Sequence, residues 1–359
     1  MNNQVEALSI AVQAGVPVLL WGSPGTGKTS AITALGEQLG LLTEVVIASI
    51  REPSDFSGLP IVVDGSVKMA PPVWAKKLAE AGKGLLFLDE ISTAPPAVQA
   101  ALLRVVLDKT VGDVKLPDGV SVVAAANPPE EAAGGWDLTP PLANRFCHIN
   151  WNINAEAWLE GFTNGFETNK VKKLPKDWQK TLRQNKSLIS SFIHLRPHLL
   201  LQVPKEGEVT AWASPRSWEM TAYLMAACDS VKADDDVKNT LVIGCVGEGT
   251  GIEFLSWLKD LDLPDPEDLL KNPDSFRLPT RGDKAYAVLS SVATAAVENL
   301  TKERWMAAWD IFASAAKQGG KDVAAASVRT LAQARKNNLP LPTKQIQEFI
   351  PLLKESGLL

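Results

Sequence analysis

Cysteine and histidine are scarce, with three of each in 359 residues. Cys147, Cys228 and Cys245, like His148, His194 and His198, lack the short fixed spacings of metal ligands, which argues against a disulfide framework or a zinc site. His194 and His198 stand at helical spacing, but Pro197 between them interrupts the helix and no carboxylate ligand accompanies them. No apolar run approaches the roughly 20 residues of a membrane-spanning helix. The opening MNNQVEALSIAVQAG has neither the basic region nor the apolar core of a secretory signal. A reducing cytoplasm is therefore the expected location. A cationic excess is absent too: 36 Lys and Arg face 41 Asp and Glu, a net charge of −5. Nucleic-acid binding normally rests on cations that neutralise phosphates, so nothing in the overall charge calls for it. The most basic stretch, Lys170 to Arg196, suits a solvated surface helix with flanking loops.

What is present is ordinary globular composition, 45% hydrophobic and 21% charged. The length suits one large α/β domain followed by one or two helical domains. In the first 150 residues, apolar runs alternate with helical stretches, the form of a parallel sheet with helices on both faces. Strands are expected at Val16–Trp21, Glu44–Ala48, Gly84–Leu88, Val120–Ala126 and Cys147–Trp151, most of them apolar enough to be buried on both faces. Helices are expected at Lys28–Leu39, with Ile32, Leu35 and Leu39 in phase, and at Pro96–Asp108, with Val98, Leu102 and Val105 in phase. Between 152 and 210 the signal weakens to a connecting segment with short helices. At Ser214-Pro215-Arg216 a helix starts cleanly, since Ser caps well and Pro at the first helical position loses no needed hydrogen bond. From there to Leu359 the chain reads as helix and loop, without an internal repeat.

The chemistry is concentrated in the first half. Val18-Leu19-Leu20-Trp21 leads into Gly22-Ser23-Pro24-Gly25-Thr26-Gly27-Lys28-Thr29, a complete G-x-x-x-x-G-K-[ST] pattern between strand and helix. Glycines let backbone N–H groups face phosphate oxygens, Lys28 reaches the β- and γ-phosphates, and the Thr29 hydroxyl suits magnesium. The helix N-terminus adds its positive dipole end. A plain glycine turn would need neither the Lys-Thr pair nor three glycines in this frame. Asp89 and Glu90 follow an apolar strand, which places two carboxylates at the edge of the sheet where α/β ligands bind. Asp89 suits magnesium through water, and Glu90 suits the general base that polarises the attacking water. Alone, an Asp-Glu pair is usually a solvated strand end; behind this strand and after this loop it carries weight. Asn127, at the end of a third strand, is an amide able to orient the lytic water. Arg145 and Arg216 are candidates to neutralise the γ-phosphate, although either arginine singly would read as a surface ion pair.

Together these residues resemble the AAA+ ATPases, and within them the MoxR-like group with its relatives CbbQ, NorQ and GvpN, over about Val5 to Asp260. Walker A corresponds to Gly22–Thr29, Walker B to Leu85–Glu90, sensor 1 to Asn127, the arginine finger to Arg145 and sensor 2 to Arg216. The run from Asp89 to Leu103 and the segment from Arg51 to Pro60 are similar to the MoxR-like pattern. Two hairpin candidates, Pro60–Met69 around Asp64-Gly65 and Thr110–Leu116, sit where the clade carries its helix-2 insert and its pre-sensor-1 hairpin. The stretch 130–138 and the basic segment 160–210 depart from the family text.

The resemblance implies an AAA+ α/β nucleotide-binding core over 1–155, a connecting or inserted segment over 156–210, a helical lid over 211–260 and a C-terminal helical region over 261–359. It implies ATP and Mg²⁺ as cofactors, the base preference being unreadable in the loop itself. It implies a ring of identical subunits, a hexamer, in which Arg145 completes the neighbour's site. It also implies a protein client, such as a protein with a von Willebrand factor A domain, as the object of remodelling or activation. A nucleic-acid motor and a nucleotide-gated scaffold with little turnover are the alternatives. The acidic net charge opposes the first, and the full set Glu90, Asn127 and Arg145 opposes the second.

Overall fold

The computed structural model describes residues 3–128, 131, 136, 138–165, 171–205, 211–336 and 339–358. The departing stretch 130–138, apart from Glu131, Trp136 and Leu138, lies outside the described residues, as does Lys170. The chain divides into two compact units, Met1–Lys180 with Leu200–Ile252, and Thr181–Leu199 with Glu253–Leu359.

The first unit is built on a sheet. In chain order its strands are β1 Val18–Trp21, β2 Leu42–Ile47, β3 Leu59–Val63, β4 Ser66–Ala70, β5 Lys83–Asp89, β6 Thr110–Val111, β7 Val114–Lys115, β8 Gly119–Ala126 and β9 Cys147–Asn150. Five of them form a parallel sheet in the order β2-β5-β8-β1-β9. β3 with β4 and β6 with β7 are separate antiparallel hairpins at the two expected positions. Turn geometry explains the first hairpin, because Asp64 and Gly65 both adopt positive φ, 51° and 77°. Both predicted helices form over the expected residues, Lys28–Leu39 and Pro96–Asp108.

The three central strands β5, β8 and β1 are apolar and buried along almost their whole length, as burial on both faces requires. β2 differs from the sequence expectation of two buried faces. It is an edge strand, and Leu42, Val45 and Ile47 are exposed. A helix at Asn3–Gln13, unanticipated in the strand-and-helix pattern, packs seven buried residues inward. The Ser121 hydroxyl of β8 donates to its Val12 carbonyl at 2.7 Å. Among the tryptophans, Trp151 and Trp218 are buried, whereas Trp136 and Trp158 are exposed.

The second unit is helical. Leu182–Leu195 packs on Gly282–Glu298, which also meets Lys302–Lys317 and Lys321–Gln333 around a core containing Trp305, Trp309 and Phe312. The basic stretch is thus only partly a solvated helix, since Ile189 and Phe192 on its inner face are buried. His194 stacks on Tyr286 with ring centroids 4.7 Å apart, a packing role.

Candidate nucleotide site

Close backbone approach dictates the loop sequence after β1. Gly22 donates its N–H to the Ala126 carbonyl at 3.1 Å. A Cβ at Gly22 would lie 2.6 Å from the Trp151 carbonyl oxygen, so no larger residue fits there. Gly25 and Gly27 hold φ of 77° and 79°, the left-handed region that favours glycine, and Gly27 is the N-cap of the following helix. The Thr26 hydroxyl closes the turn onto the Ser23 carbonyl at 2.7 Å, and the Trp151 indole donates to the Thr26 carbonyl at 3.2 Å. The first two turns of that helix carry no acidic residue to compete with a bound anion.

Lys28 folds back into this loop, only 8% exposed. Its Nζ donates to the carbonyls of Gly22 at 2.5 Å and Ser23 at 3.0 Å, and to Asn127 Oδ1 at 3.4 Å. Burial lowers its pKa, while Asp89 and Glu131 oppose that shift. The Thr29 hydroxyl, one residue on, donates to Asp89 Oδ2 at 3.1 Å. Since β1, β8 and β5 are parallel neighbours, their carboxyl ends bring Lys28, Asn127 and Asp89 to one place although 61 residues (89 − 28) separate the first from the last.

Glu90 leaves β5 with φ 56° and ψ 40°, a conformation uncommon for a residue with a side chain. Strain of this kind clusters at functional positions. The Ser49 hydroxyl donates to Glu90 Oε2 at 2.5 Å. Ser49 lies in the short turn Ala48–Ile50 directly after β2, and the β2-β5 pairing sets it beside Glu90.

Arg145 and Arg216 do not join this group. Arg145 follows the short helix Pro140–Ala143 and precedes β9, and its Nη1 donates to the Pro141 carbonyl. Burial lowers its pKa, the charge of Arg216 lowers it further, and Asp108 opposes both. Arg216 is exposed near the start of the helix Pro215–Val231. The expected cap is present, as a reciprocal pair between Ser214 and Ser217.

Three contributors escaped the sequence reading. Ser49 belongs to no motif, and only its place at the end of a strand beside Walker B would have pointed to it. Glu131 accepts from the Ser23 hydroxyl at 2.9 Å. His148 accepts at Nδ1 from the Trp21 indole at 3.1 Å and bonds through Nε2 to the Ala143 carbonyl at 2.9 Å, joining the strand of the phosphate loop to the turn before Arg145. Both ring nitrogens are therefore occupied in the neutral form, and burial pushes the His148 pKa down to about 4.

Residues 1–132 match the family model of the Sigma-54 interaction domain. The pathogenicity-locus regulatory protein WtsA of Pantoea stewartii subsp. stewartii is 34% identical over 121 residues, 32% of this chain and 38% of that protein. Midasin of Giardia intestinalis is 25% identical over 141 residues, 37% of this chain and 3% of that protein. A solved structure from Cytophaga hutchinsonii, provisionally described as an ATPase, covers 72% of this chain and 88% of its own at 19% identity and a TM-score of 0.47. The chain spans well under half the length of the two curated relatives. The five-stranded parallel sheet with its flanking helices and phosphate loop has the AAA+ P-loop α/β fold, and residues 1–132 are similar in sequence to the Sigma-54 interaction domain.

Proposed function

We propose that this protein is a ring-forming AAA+ ATPase of the MoxR-like kind, which hydrolyses ATP to ADP and phosphate and uses the cycle to remodel or activate a protein partner. The observation that carries the ATPase reading is the meeting of Thr29 with Asp89 at 3.1 Å beside the buried Lys28–Asn127 contact, all at the carboxyl ends of adjacent strands.

The residues present fit both ATP and magnesium. A left-handed glycine pair frees the loop N–H groups, and the hydroxyl of Thr29 and the carboxylate of Asp89 form an all-oxygen donor set of the sort a hard divalent cation takes. When bound, Mg²⁺ neutralises phosphate charge. Lys28, already inside the loop, exchanges carbonyl partners for phosphate oxygens. Asn127 orients a water without adding negative charge, and Glu90 accepts that water's proton once its carboxylate is free of Ser49. Arg145 supplies cationic stabilisation to the neighbouring subunit's site.

A protein client is favoured over nucleic acid by the β3-β4 hairpin. Leu59, Ile61, Val62 and Val67 on it are all exposed, an apolar surface suited to polypeptide, and Lys68 is its single cation. By family analogy that client is a protein with a von Willebrand factor A domain, and the ring is a hexamer.

The decisive test is ATPase rate against protein concentration, with wild type mixed against an Arg145→Ala, Glu90→Gln double variant. A rate per subunit that climbs with concentration and is poisoned by the variant supports composite sites in a ring. A rate indifferent to both means that each subunit works alone.

A further inference from the structure

The proposed mechanism leaves unused a carboxylate that touches the phosphate loop. Glu131 Oε1 accepts from the Ser23 hydroxyl at 2.9 Å. Ser23 directly follows Gly22, and the carbonyls of both residues accept from Lys28 Nζ. The loop thus presents a hydroxyl and an ammonium at one corner, and a carboxylate is bound there. The main chain fixes Glu131 at this place. Its N–H donates to the Pro128 carbonyl at 2.9 Å, in a turn that begins one residue after Asn127. Asn127 Oδ1 in turn meets the same Lys28 Nζ at 3.4 Å.

This corner is the one that a terminal phosphate needs. In a loop of this pattern the backbone N–H groups cradle the α- and β-phosphates, and the lysine reaches the β- and γ-phosphates. Lys28 Nζ and Asn127 therefore mark the γ-phosphate end, while Thr29 and Asp89 mark the magnesium side. A carboxylate and a phosphate seek the same partners, a cation and a hydroxyl donor, and repel one another. Bracing the loop does not explain the residue type, because a glutamine could accept from Ser23 without bringing charge to an anion site. The helix that follows the loop carries no acidic residue in its first turn, as suits an anion at its N-terminus. Glu131 breaks that pattern, and it is exposed, with room to swing off the loop.

We infer that Glu131 is a specificity-determining residue whose carboxylate takes the place of the terminal phosphate, so that ATP must displace it from Ser23 and ADP need not. This inference rests on the nucleotide-site reading above and adds to it a selection between triphosphate and diphosphate. Once the γ-phosphate has left, the carboxylate returns to Ser23 beside the remaining diphosphate, and ADP stays the favoured ligand until Glu131 is drawn away. The role differs from that of Glu90, which accepts a proton from water; Glu131 acts on affinity through its charge.

Calorimetric titration of the full chain with ATPγS and with ADP, each in the presence of Mg²⁺, tests the inference. Glu131→Gln should tighten ATPγS roughly tenfold and leave ADP within about twofold, the order expected when one like charge is removed from beside the γ-phosphate near a protein surface. Glu131→Ala, which also removes the bond to Ser23, should do the same, because the charge opposes the phosphate and the bond does not. Retained ADP binding shows that both variants are folded. An ATPγS-to-ADP affinity ratio equal to that of the wild type in Glu131→Gln overturns the inference. Weaker ATPγS binding in both variants overturns it too, since Glu131 would then be a brace for the loop. Lys28→Ala separates these failures from a failure of the site. If that variant binds both nucleotides as the wild type does, or if the wild type binds neither, the phosphate loop is not the nucleotide site and the inference falls with that reading.

Discussion

Ser49 donates to the carboxylate of Glu90 at 2.5 Å, so the proposed general base is held by a hydroxyl from the neighbouring strand. A hydrogen bond to a charged group contributes about 1.5–3 kcal/mol, enough to restrain the side chain. Ser49→Ala is expected to raise turnover at saturating ATP several-fold while leaving KM unchanged, as steady-state phosphate release would record. A fall in turnover instead would mean that Ser49 aims Glu90 at the water.

Binding and turnover should separate cleanly within the loop and strand residues. Lys28→Ala is expected to lose binding of a fluorescent ATP analogue. Glu90→Gln should keep that binding and lose turnover by about 10²–10⁴-fold, the usual contribution of a positioned base. Equal binding losses in the two variants would contradict the division of labour.

Gly22 tests the cradle by size. A methyl group there meets the Trp151 carbonyl at 2.6 Å, so Gly22→Ala must displace backbone. Overpacking of this kind costs about 1–3 kcal/mol. The expected result is a lower Tm together with weakened nucleotide binding, measured by thermal unfolding with and without ATP. A variant with wild-type Tm and binding would show that the loop and Trp151 are not in contact.

His148 should make the first unit acid-sensitive. Its folded pKa is about 4, below the ordinary 6.5, because burial disfavours the charged ring. Between those values the unfolded chain binds the proton and the folded chain does not, so stability is complete above about pH 6.5 and falls as pH drops toward 4. At 1.36 kcal/mol per pH unit the loss is of order 3 kcal/mol. Chemical denaturation at pH 7 and pH 4.5 should show a smaller pH difference for His148→Gln than for the wild type. An unchanged difference would assign the acid sensitivity to other groups.

Much of the site was legible in the chain because its signals are local. A phosphate loop needs glycines, a lysine and a threonine at consecutive positions, since the backbone itself forms the cradle. The strand ends at Asp89 and Asn127 are marked by apolar runs that stop at a polar residue. Ser214-Pro215 announces a helix start for the same reason, because a cap acts within three residues. Edge position was not legible: Leu42, Val45 and Ile47 look like buried strand residues, and only the order β2-β5-β8-β1-β9 leaves them exposed. The helix Leu182–Leu195 read as a surface element because its lysines are conspicuous, while Phe192 and Ile189 take their burial from a partner helix some hundred residues later.

The sequence by itself determined the candidates for the proposed nucleotide chemistry, Lys28, Thr29, Asp89 and Glu90, and the helix and strand that carry them. Tertiary structure alone decided the company these residues keep. Ser49 reaches Glu90 because β2 and β5 are neighbours, His148 joins Trp21 because β9 pairs with β1, and Asn144, beside Arg145, is joined by a hydrogen bond across 70 residues to Ser214, the cap of the helix that carries Arg216. Such contacts depend on strand order and long-range closure, which cost chain entropy to form and leave no fixed spacing in the sequence.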